Sequence, residues 1–450
     1  MTTPIAHDSR VSRRVFLSQS AAVTAALILR PHGAAGAAAP EANEAVLDRA
    51  RASIQQHRLG PFTVRVLGAD GRPVAGARVR IEQTRHHFLF GCNFFRFGRL
   101  QDPGLEEAYR SRFAALLNYA TLGFYWASYE RERGKPDYAY TDTVLAWCRD
   151  HGILCKGHPL AWDHPAGNPR WLPEHPDEIG RLSVGRVREI VGRFKGRLDY
   201  WDVVNEAVHL GQANLQTPMS RYARPLGARR YVLDHLKAAR EANGGATLLV
   251  NDYRLDPPYF HLLQSLLDQN PKPFDVIGIQ SHMHDHPWKL AQAWQHCETY
   301  ARLGLPLHFT EATVVSGPRK GPGENWGDTT PELEARQADY VAKFYTVLFG
   351  HPAVQAITWW DFSDNGAWQR AAAGFVRKDM SPKPVYDRLM DLVKRQWWTR
   401  IEVRTDDKGA CSGQAFYGDY RVRVDLPAGG SVVKNTTWKP GAPNTLEIRV

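Results

Sequence analysis

From about residue 88 onward, hydrophobic and polar positions follow one repeating scheme. A short apolar run ends in polar or aromatic residues, and a longer segment with apolar residues at every third or fourth position follows. Eight such runs occur: FLFGCNF, LLNYATLGF, ILCKGHPL, LDYWDVVNE, TLLVNDY, FDVIGIQSH, LPLHFTE and VQAITWWDF. The segments between them include LEEAYRSRFAALL, YTDTVLAWCRDHG, IGRLSVGRVREIVGRF and ELEARQADYVAKFYTVLFG. Their spacing is that of amphipathic helices. Strand–helix alternation predicts a parallel sheet. Eight units over roughly 300 residues fit an α/β fold of the (β/α)8 TIM barrel type. The rival is an open doubly wound sheet, against which no G-x-G-x-x-G or P-loop follows any strand.

The pattern changes at both ends. Residues 40–86 read as a helical lead-in followed by a small β element, FTVRVLGADGRPVAGARVRIEQT, with two strands around the turn ADGRP. The barrel is predicted over residues 87–396. Residues 397–450, rich in Gly, Thr and β-formers, read as a separate small β module. Its aromatic residues Trp397, Trp398, Tyr417, Tyr420 and Trp438 could stack on sugars, but core packing and contact with the barrel are the stronger expectation. Residues 1–39 carry Arg13 and Arg14, then VFLSQSAAVTAALIL, then the small-residue stretch HGAAGAAAP. That is the layout of a secretory signal peptide of twin-arginine type. It predicts export to the periplasm or exterior, with no membrane contact once the signal is removed. An uncleaved anchor is the alternative, although Ser18, Gln19 and Ser20 interrupt the apolar run and leave it short for a span.

Composition narrows the function classes. The chain has 450 residues and a net charge of +10. Such a charge raises the question of nucleic acid, but no arginine-rich helix or aromatic–basic interleaving is present, so no nucleic-acid partner is expected. The five cysteines, Cys92, Cys148, Cys155, Cys297 and Cys411, lack C-x-x-C spacing and read as buried thiols. Nothing in the sequence speaks to oligomeric state.

Barrel active sites lie at the carboxyl ends of the strands. Those ends supply Asn93, His158, Asn205 with Glu206, Asn251 with Asp252, Gln280, His282, Glu311 and Trp360 with Asp361, while the strand bodies read as apolar. Glu206 after the fourth strand and Glu311 after the seventh could face one pocket. A carboxyl pair flanking a glycosidic bond can run its hydrolysis, one as acid, the other as nucleophile or base. Their surroundings must separate their pKa values. Asn205 could donate to a sugar hydroxyl, and His282 could hydrogen-bond a carboxylate. Trp126, Trp162, Trp171, Trp359, Trp360 and Trp368 lie in or just after strand-end segments and could face sugar rings, although each alone is equally well a core residue.

Two other readings stay open. His282, His284 and His286 alternate, as ligands on one strand face would, which suggests a metal-dependent hydrolase on a TIM barrel; Pro287 argues that the strand ends too early for this. A non-catalytic sugar-binding barrel is the second, though a binder has no need of paired glutamates. Asn251-Asp252-Tyr253 also reads as a simple turn.

These segments resemble family 10 of the glycoside hydrolases, whose best-known members are endo-β-1,4-xylanases. WDVVNEA is similar to that family's strand-four motif, GHPLAW to its GHTLVWH, IGIQSHMH to its GFQSHL, FTEATV to its TELDV, WWDFSDNGAW to its WGVTDKDSW, and SPKPVYDRL to its PKPAY. The resemblance runs in family order from about residue 88 to about residue 389. It implies that Glu206 is the acid/base and Glu311 the nucleophile of a retaining double displacement, with carboxyl groups about 5–5.5 Å apart. It implies that His158, Asn205 and Gln280 contact the sugar whose bond is cleaved, that His282 hydrogen-bonds the nucleophile, and that Trp360 and Trp368 cover that sugar. Trp162 and Tyr125 also fall at substrate-binding positions, with Asn251 and Trp126 supporting. No cofactor or metal is implied, and the expected partner is a polysaccharide or oligosaccharide, xylan or xylo-oligosaccharides first and another β-glycan or glycoside otherwise. The chain departs from the family at LGFYW: Leu122 stands at the family's sugar-binding Asn and Tyr125 at its Lys, while Trp126 and Glu130 keep their places. The family's Trp-His is Trp162-Asp163, and its Trp-Gly is Trp360-Asp361.

Overall fold

A computed structural model describes residues 42–210, 216–319, 321 and 326–450. The signal peptide expected at residues 1–39 lies outside the described residues. The lead-in is the helix Asn43–His57, followed by β1 (Leu59–Leu67) and β2 (Arg78–His86). The eight predicted barrel strands then appear as β3 (Leu89–Asn93), β4 (Tyr119–Gly123), β5 (Leu154–His158) with a two-residue continuation β6 (Ala161–Trp162), β7 (Tyr200–Asn205), β8 (Thr247–Asp252), β9 (Val276–Met283), β10 (Leu307–Val314) and β11 (Val354–Trp359). All pair in parallel in the order β5-β4-β3-β11-β10-β9-β8-β7-β6, and a further β5–β7 pairing closes the ring. The fold is a (β/α)8 TIM barrel.

At several outer helices a side chain satisfies the first N–H groups. Asp102 accepts from the amides of Gly104 and Leu105 and sets Pro103 in the first turn of the helix Pro103–Leu116. Thr217 and Ser220 form a reciprocal capping box at the helix Pro218–Ala242. The helical apolar stripe then packs on the strands: Tyr109, Phe113 and Leu116 are buried in the same cluster as Phe94, Phe362 and Leu122.

The barrel interior corrects one expectation. Its floor is apolar and aromatic, with Leu89, Tyr119 and Ala356 beside Tyr200, and His308 within 6.3 Å of both tyrosine rings. The strand bodies above are not apolar throughout, because Lys156 on β5 and Asp202 on β7 form a fully buried ion pair at 2.6 Å. The outward neighbours of these two residues, Cys155, Trp201 and Val203, belong to the layer between strands and helices and dominate the sequence pattern.

The two terminal β segments are not separate modules. After the barrel come β12 (Arg400–Arg404), β13 (Ala410–Phe416), β14 (Gly418–Asp425), β15 (Ser431–Trp438) and β16 (Thr445–Arg449). β1 lies between β13 and β16, and β2 between β12 and β14, so the N-terminal strands sit inside two sheets whose other members are C-terminal. Both β1 and β2 bury alternate residues, Phe62, Val64 and Val66 on one, Val79 and Ile81 on the other. A lone hairpin would leave those faces in water, and the C-terminal strands cover them. Trp438 stacks on Phe62 at 4.6 Å and Tyr420 lies 4.1 Å from Trp438, so both are core residues. Trp397 instead belongs to the barrel seam, stacked on Phe349 at 4.4 Å.

The helix Asn43–His57 fastens this sandwich to the barrel. Gly350 touches its backbone so closely that a Cβ there would lie 2.6 Å from the Ala50 carbonyl oxygen. Arg58 donates to the carbonyls of Phe349, His351 and Val354. All five cysteines are free and buried. Among the described residues, no helix is long and apolar enough to cross a membrane.

Candidate active site

Glu311 lies on β10 beside a register shift, level with Gln280 of β9. Its Oε1 accepts a 2.8 Å hydrogen bond from Asn251 Nδ2, its Oε2 lies 3.1 Å from His282 Nε2, and His158 Nε2 is 3.8 Å from Oε1. His282 Nδ1 contacts Thr313 Oγ1 at 2.9 Å, and that hydroxyl donates to the Trp360 carbonyl. The Thr313 oxygen therefore accepts from Nδ1–H.

Asn251 sits at the end of β8. The same Nδ2 donates to Asn205 Oδ1 at 2.8 Å, and its Oδ1 accepts from Thr310. Gly278 makes room: a Cβ there would lie 2.6 Å from Asn251 Oδ1. Asn251 is thus a buried connector rather than a surface turn.

Glu206 follows β7 with φ 57° and ψ 43°, a left-handed conformation, and its amide donates to the Asn251 carbonyl at 2.7 Å. Its Oε1 accepts from Gln280 Nε2 at 3.1 Å and Asn205 Nδ2 at 3.2 Å. Its Oε2 accepts from Trp162 Nε1 at 3.0 Å, with His209 Nδ1 3.5 Å away. Burial acts to raise the pKa of this carboxyl group, but donors from His209, Gln280 and Trp162 outweigh it and the value is lowered.

The two glutamates are therefore joined. Gln280 also donates to Asn205 Oδ1 at 3.2 Å, so Asn205 accepts from Gln280 and Asn251 while donating to Glu206. Behind them, His158 Nδ1 meets Asp202 Oδ2 at 2.8 Å, and Lys156 meets the same oxygen. Burial works against the Asp202 anion, and the Lys156 charge with the His158 hydrogen bond still holds its carboxyl below the ordinary range.

Aromatic rings form the walls. Trp360 is buried, its ring edge-on to His158 at 5.4 Å, with Phe95 at 5.2 Å. Trp368, 36% exposed, lies 4.7 Å from His282. Its amide donates to Asp361 Oδ2, whose other oxygen accepts from Asn93. Burial pushes the Asp361 carboxyl up. Tyr125 is half-buried, 5.5 Å from His158 and 6.0 Å from Trp162. Trp126 turns away, donating to Glu130 and packing against Trp171 and Arg186. Trp359 is core, and Leu122 is buried in the hydrophobic layer. Asp163 accepts from Thr217 and Ser220, pinning the β6 loop to the cap of the helix Pro218–Ala242.

The three alternating histidines do not converge. β9 ends at Met283; His284 packs by Trp368 and Trp326, and His286 is exposed. Among the described residues, no three His, Cys, Asp or Glu side chains gather as metal ligands would. Sequence reasoning missed Phe95, Lys156, Asp202 and His209. Only His209 gave a signal, three positions after Glu206.

The family model for glycosyl hydrolase family 10 matches residues 93–392, two thirds of the chain. The chain belongs to glycosyl hydrolase family 10. It is 28% identical over 298 residues to endo-1,4-beta-xylanase 5 of Arabidopsis thaliana, covering 63% of this chain and 47% of that protein. It is 25% identical over 396 residues to the anti-sigma-I factor RsgI6 of Acetivibrio thermocellus, covering 85% of this chain and 47% of that protein. The chain thus spans about half the length of these curated relatives. Xylanase 10B from Thermotoga maritima has the same fold, with a TM-score of 0.59 at 22% identity over 69% of this chain and 96% of that one.

Proposed function

We propose that this family 10 protein hydrolyses β-linked glycans, xylan or xylo-oligosaccharides first, by a retaining double displacement. The observation that carries the reading is the continuous network joining Glu206 to Glu311 through Asn205, Gln280 and Asn251. It gives the two carboxyl groups different partners, as paired roles require. The xylanase names of relatives support the substrate.

In the first step, Glu206 donates its proton to the glycosidic oxygen while Glu311 attacks the anomeric carbon. The C–O bond to the leaving sugar breaks and an ester bond to Glu311 forms. In the second, the Glu206 carboxylate takes a proton from water, the water oxygen attacks the anomeric carbon, and Glu311 leaves as a carboxylate. Asn251 and His282 orient Glu311 for attack. Asn205 uses one N–H on Glu206 and has a second for a sugar hydroxyl. Trp360, Trp368, Tyr125 and Trp162 offer ring surface to the sugars.

A second reading, the same chemistry on another β-glycan or glycoside, is favoured by one observation: Leu122 and Tyr125 stand where the resemblance expects polar clamps on the sugar. The Arg13-Arg14 leader supports action outside the cytoplasm. The test is product analysis on xylan, arabinoxylan, β-glucans and aryl β-xylosides with Glu206→Gln and Glu311→Gln as controls. Xylo-oligosaccharides from the parent protein and loss of xylan cleavage with retained binding in both variants are expected. Unchanged turnover in either variant overturns the mechanism.

A further inference from the structure

The left-handed backbone of Glu206 opens the 3-10 turn Ala207–His209. Such a conformation is uncommon for a residue with a Cβ and gathers at functional sites. Here the turn folds His209 back over the carboxyl group of Glu206, with Nδ1 3.5 Å from Oε2. The other ring nitrogen, Nε2, is hydrogen-bonded to the Tyr253 hydroxyl, and the two rings lie 4.6 Å apart. His209 is buried, whereas Tyr253 is 46% exposed. A three-membered chain thus runs from one catalytic glutamate to the surface.

The surroundings of His209 are defined. Glu206 faces it from its own turn. Asp252 and Tyr253 approach from the end of β8, with Arg254 beyond them. Asp163 and His164 act on it from the loop after β6. Among these described groups, Glu206 and Tyr253 are the two that structure places at ion-pair or hydrogen-bond distance.

On the reading of Glu206 as the acid/base, we propose that His209, held by Tyr253, is a positioning residue that sets the pH range over which Glu206 serves as an acid. Glu206 must be protonated to expel the leaving sugar and ionised to activate water. A histidine at Oε2 favours the ionised form, helping the second step and limiting the first as pH rises. The direction agrees with the electrostatics: burial raises the Glu206 pKa, His209 is the largest contribution opposing it, and the net is a lowered value.

The test is a carbon-13 NMR titration of the Glu206 carboxyl carbon, assigned with Glu206→Gln, in the parent protein, His209→Ala and His209→Asn. The pH profile of kcat/KM on an aryl β-xylobioside with a poor leaving group is measured alongside. In His209→Ala the Glu206 midpoint rises by about one pH unit, and the alkaline limb of kcat/KM rises with it. His209→Asn keeps a donor without a titratable ring and lies between the two, and it preserves the test if the alanine variant loosens the turn. Turnover with an unmoved midpoint and limb in both variants overturns the proposal. A shifted midpoint without turnover on any substrate fails the glycosidase reading while keeping the Glu206–His209 coupling, because the titration needs no activity.

Discussion

Asn251 and Glu311 meet at 2.8 Å, and the same Asn251 nitrogen reaches Asn205 at 2.8 Å. One amide group, on a strand that carries neither glutamate, thereby fixes the nucleophile candidate and the partner of the acid/base candidate together. Asn251→Ala removes both bonds at once. The expected result is a fall in kcat of about a hundredfold with little change in KM, the size seen when one preorganised donor is lost. A steady-state comparison with the parent protein, paired with circular dichroism to confirm the fold, checks it.

The Lys156–Asp202 pair lies beneath the site with both side chains almost wholly buried. Removing one member leaves a buried charge without its counter-ion. Lys156→Met is expected to cost about 3–5 kcal/mol of unfolding free energy. Denaturant titration reads this directly, and Asp202→Asn on the same background should recover part of the loss. A Lys156→Met protein as stable as the parent would show that the pair is not held as described.

Asp252 offers a pH-dependent test. Burial, assisted by the neighbouring Glu206, pushes its carboxyl up to about 7. The folded state therefore keeps a proton that the unfolded chain releases near pH 4. This contribution to stability is complete below that pH, is lost as pH rises through about 7, and is flat above. The thermal midpoint of the parent should carry this downward slope. Asp252→Asn should lack it, although its overall stability is lower because both carboxyl oxygens accept backbone amides, from Val208 and Arg254. Equal slopes in the two proteins would contradict the placement.

How far the sequence revealed all this differs by element. The barrel was legible because its strands and helices each carry a period, and because polar residues mark the carboxyl ends of the strands. Glu206 and Glu311 were legible for the same reason. Lys156 and Asp202 were not, since a buried ion pair looks like two ordinary charges until the ring closes and brings β5 against β7. The sandwich was misread as two modules because strand pairing between residues more than 300 positions apart leaves no local trace; β1 pairs Arg65 with Ala410. Phe95 stayed hidden inside an aromatic run, NFFRF, whose neighbours Phe94 and Phe97 are core.

Phe95 packs edge-on against both Tyr125 and Trp360, so at Tyr125 an aromatic wall stands where the family resemblance implied a polar clamp. Ring surface binds sugar faces but directs hydroxyl groups poorly. Tyr125→Ala is expected to raise KM for xylo-oligosaccharides by about threefold to tenfold, the worth of one aromatic contact, with a smaller effect on kcat. A change confined to kcat would place Tyr125 in the chemistry rather than in binding.

In the proposed reaction Glu206 and Glu311 act as acid/base and nucleophile in two successive displacements. The most direct measurement is proton NMR of the first hemiacetal released from an aryl β-xylobioside, recorded before mutarotation. Two inversions leave the β-anomer, which is the predicted product. The α-anomer as first product would contradict the mechanism.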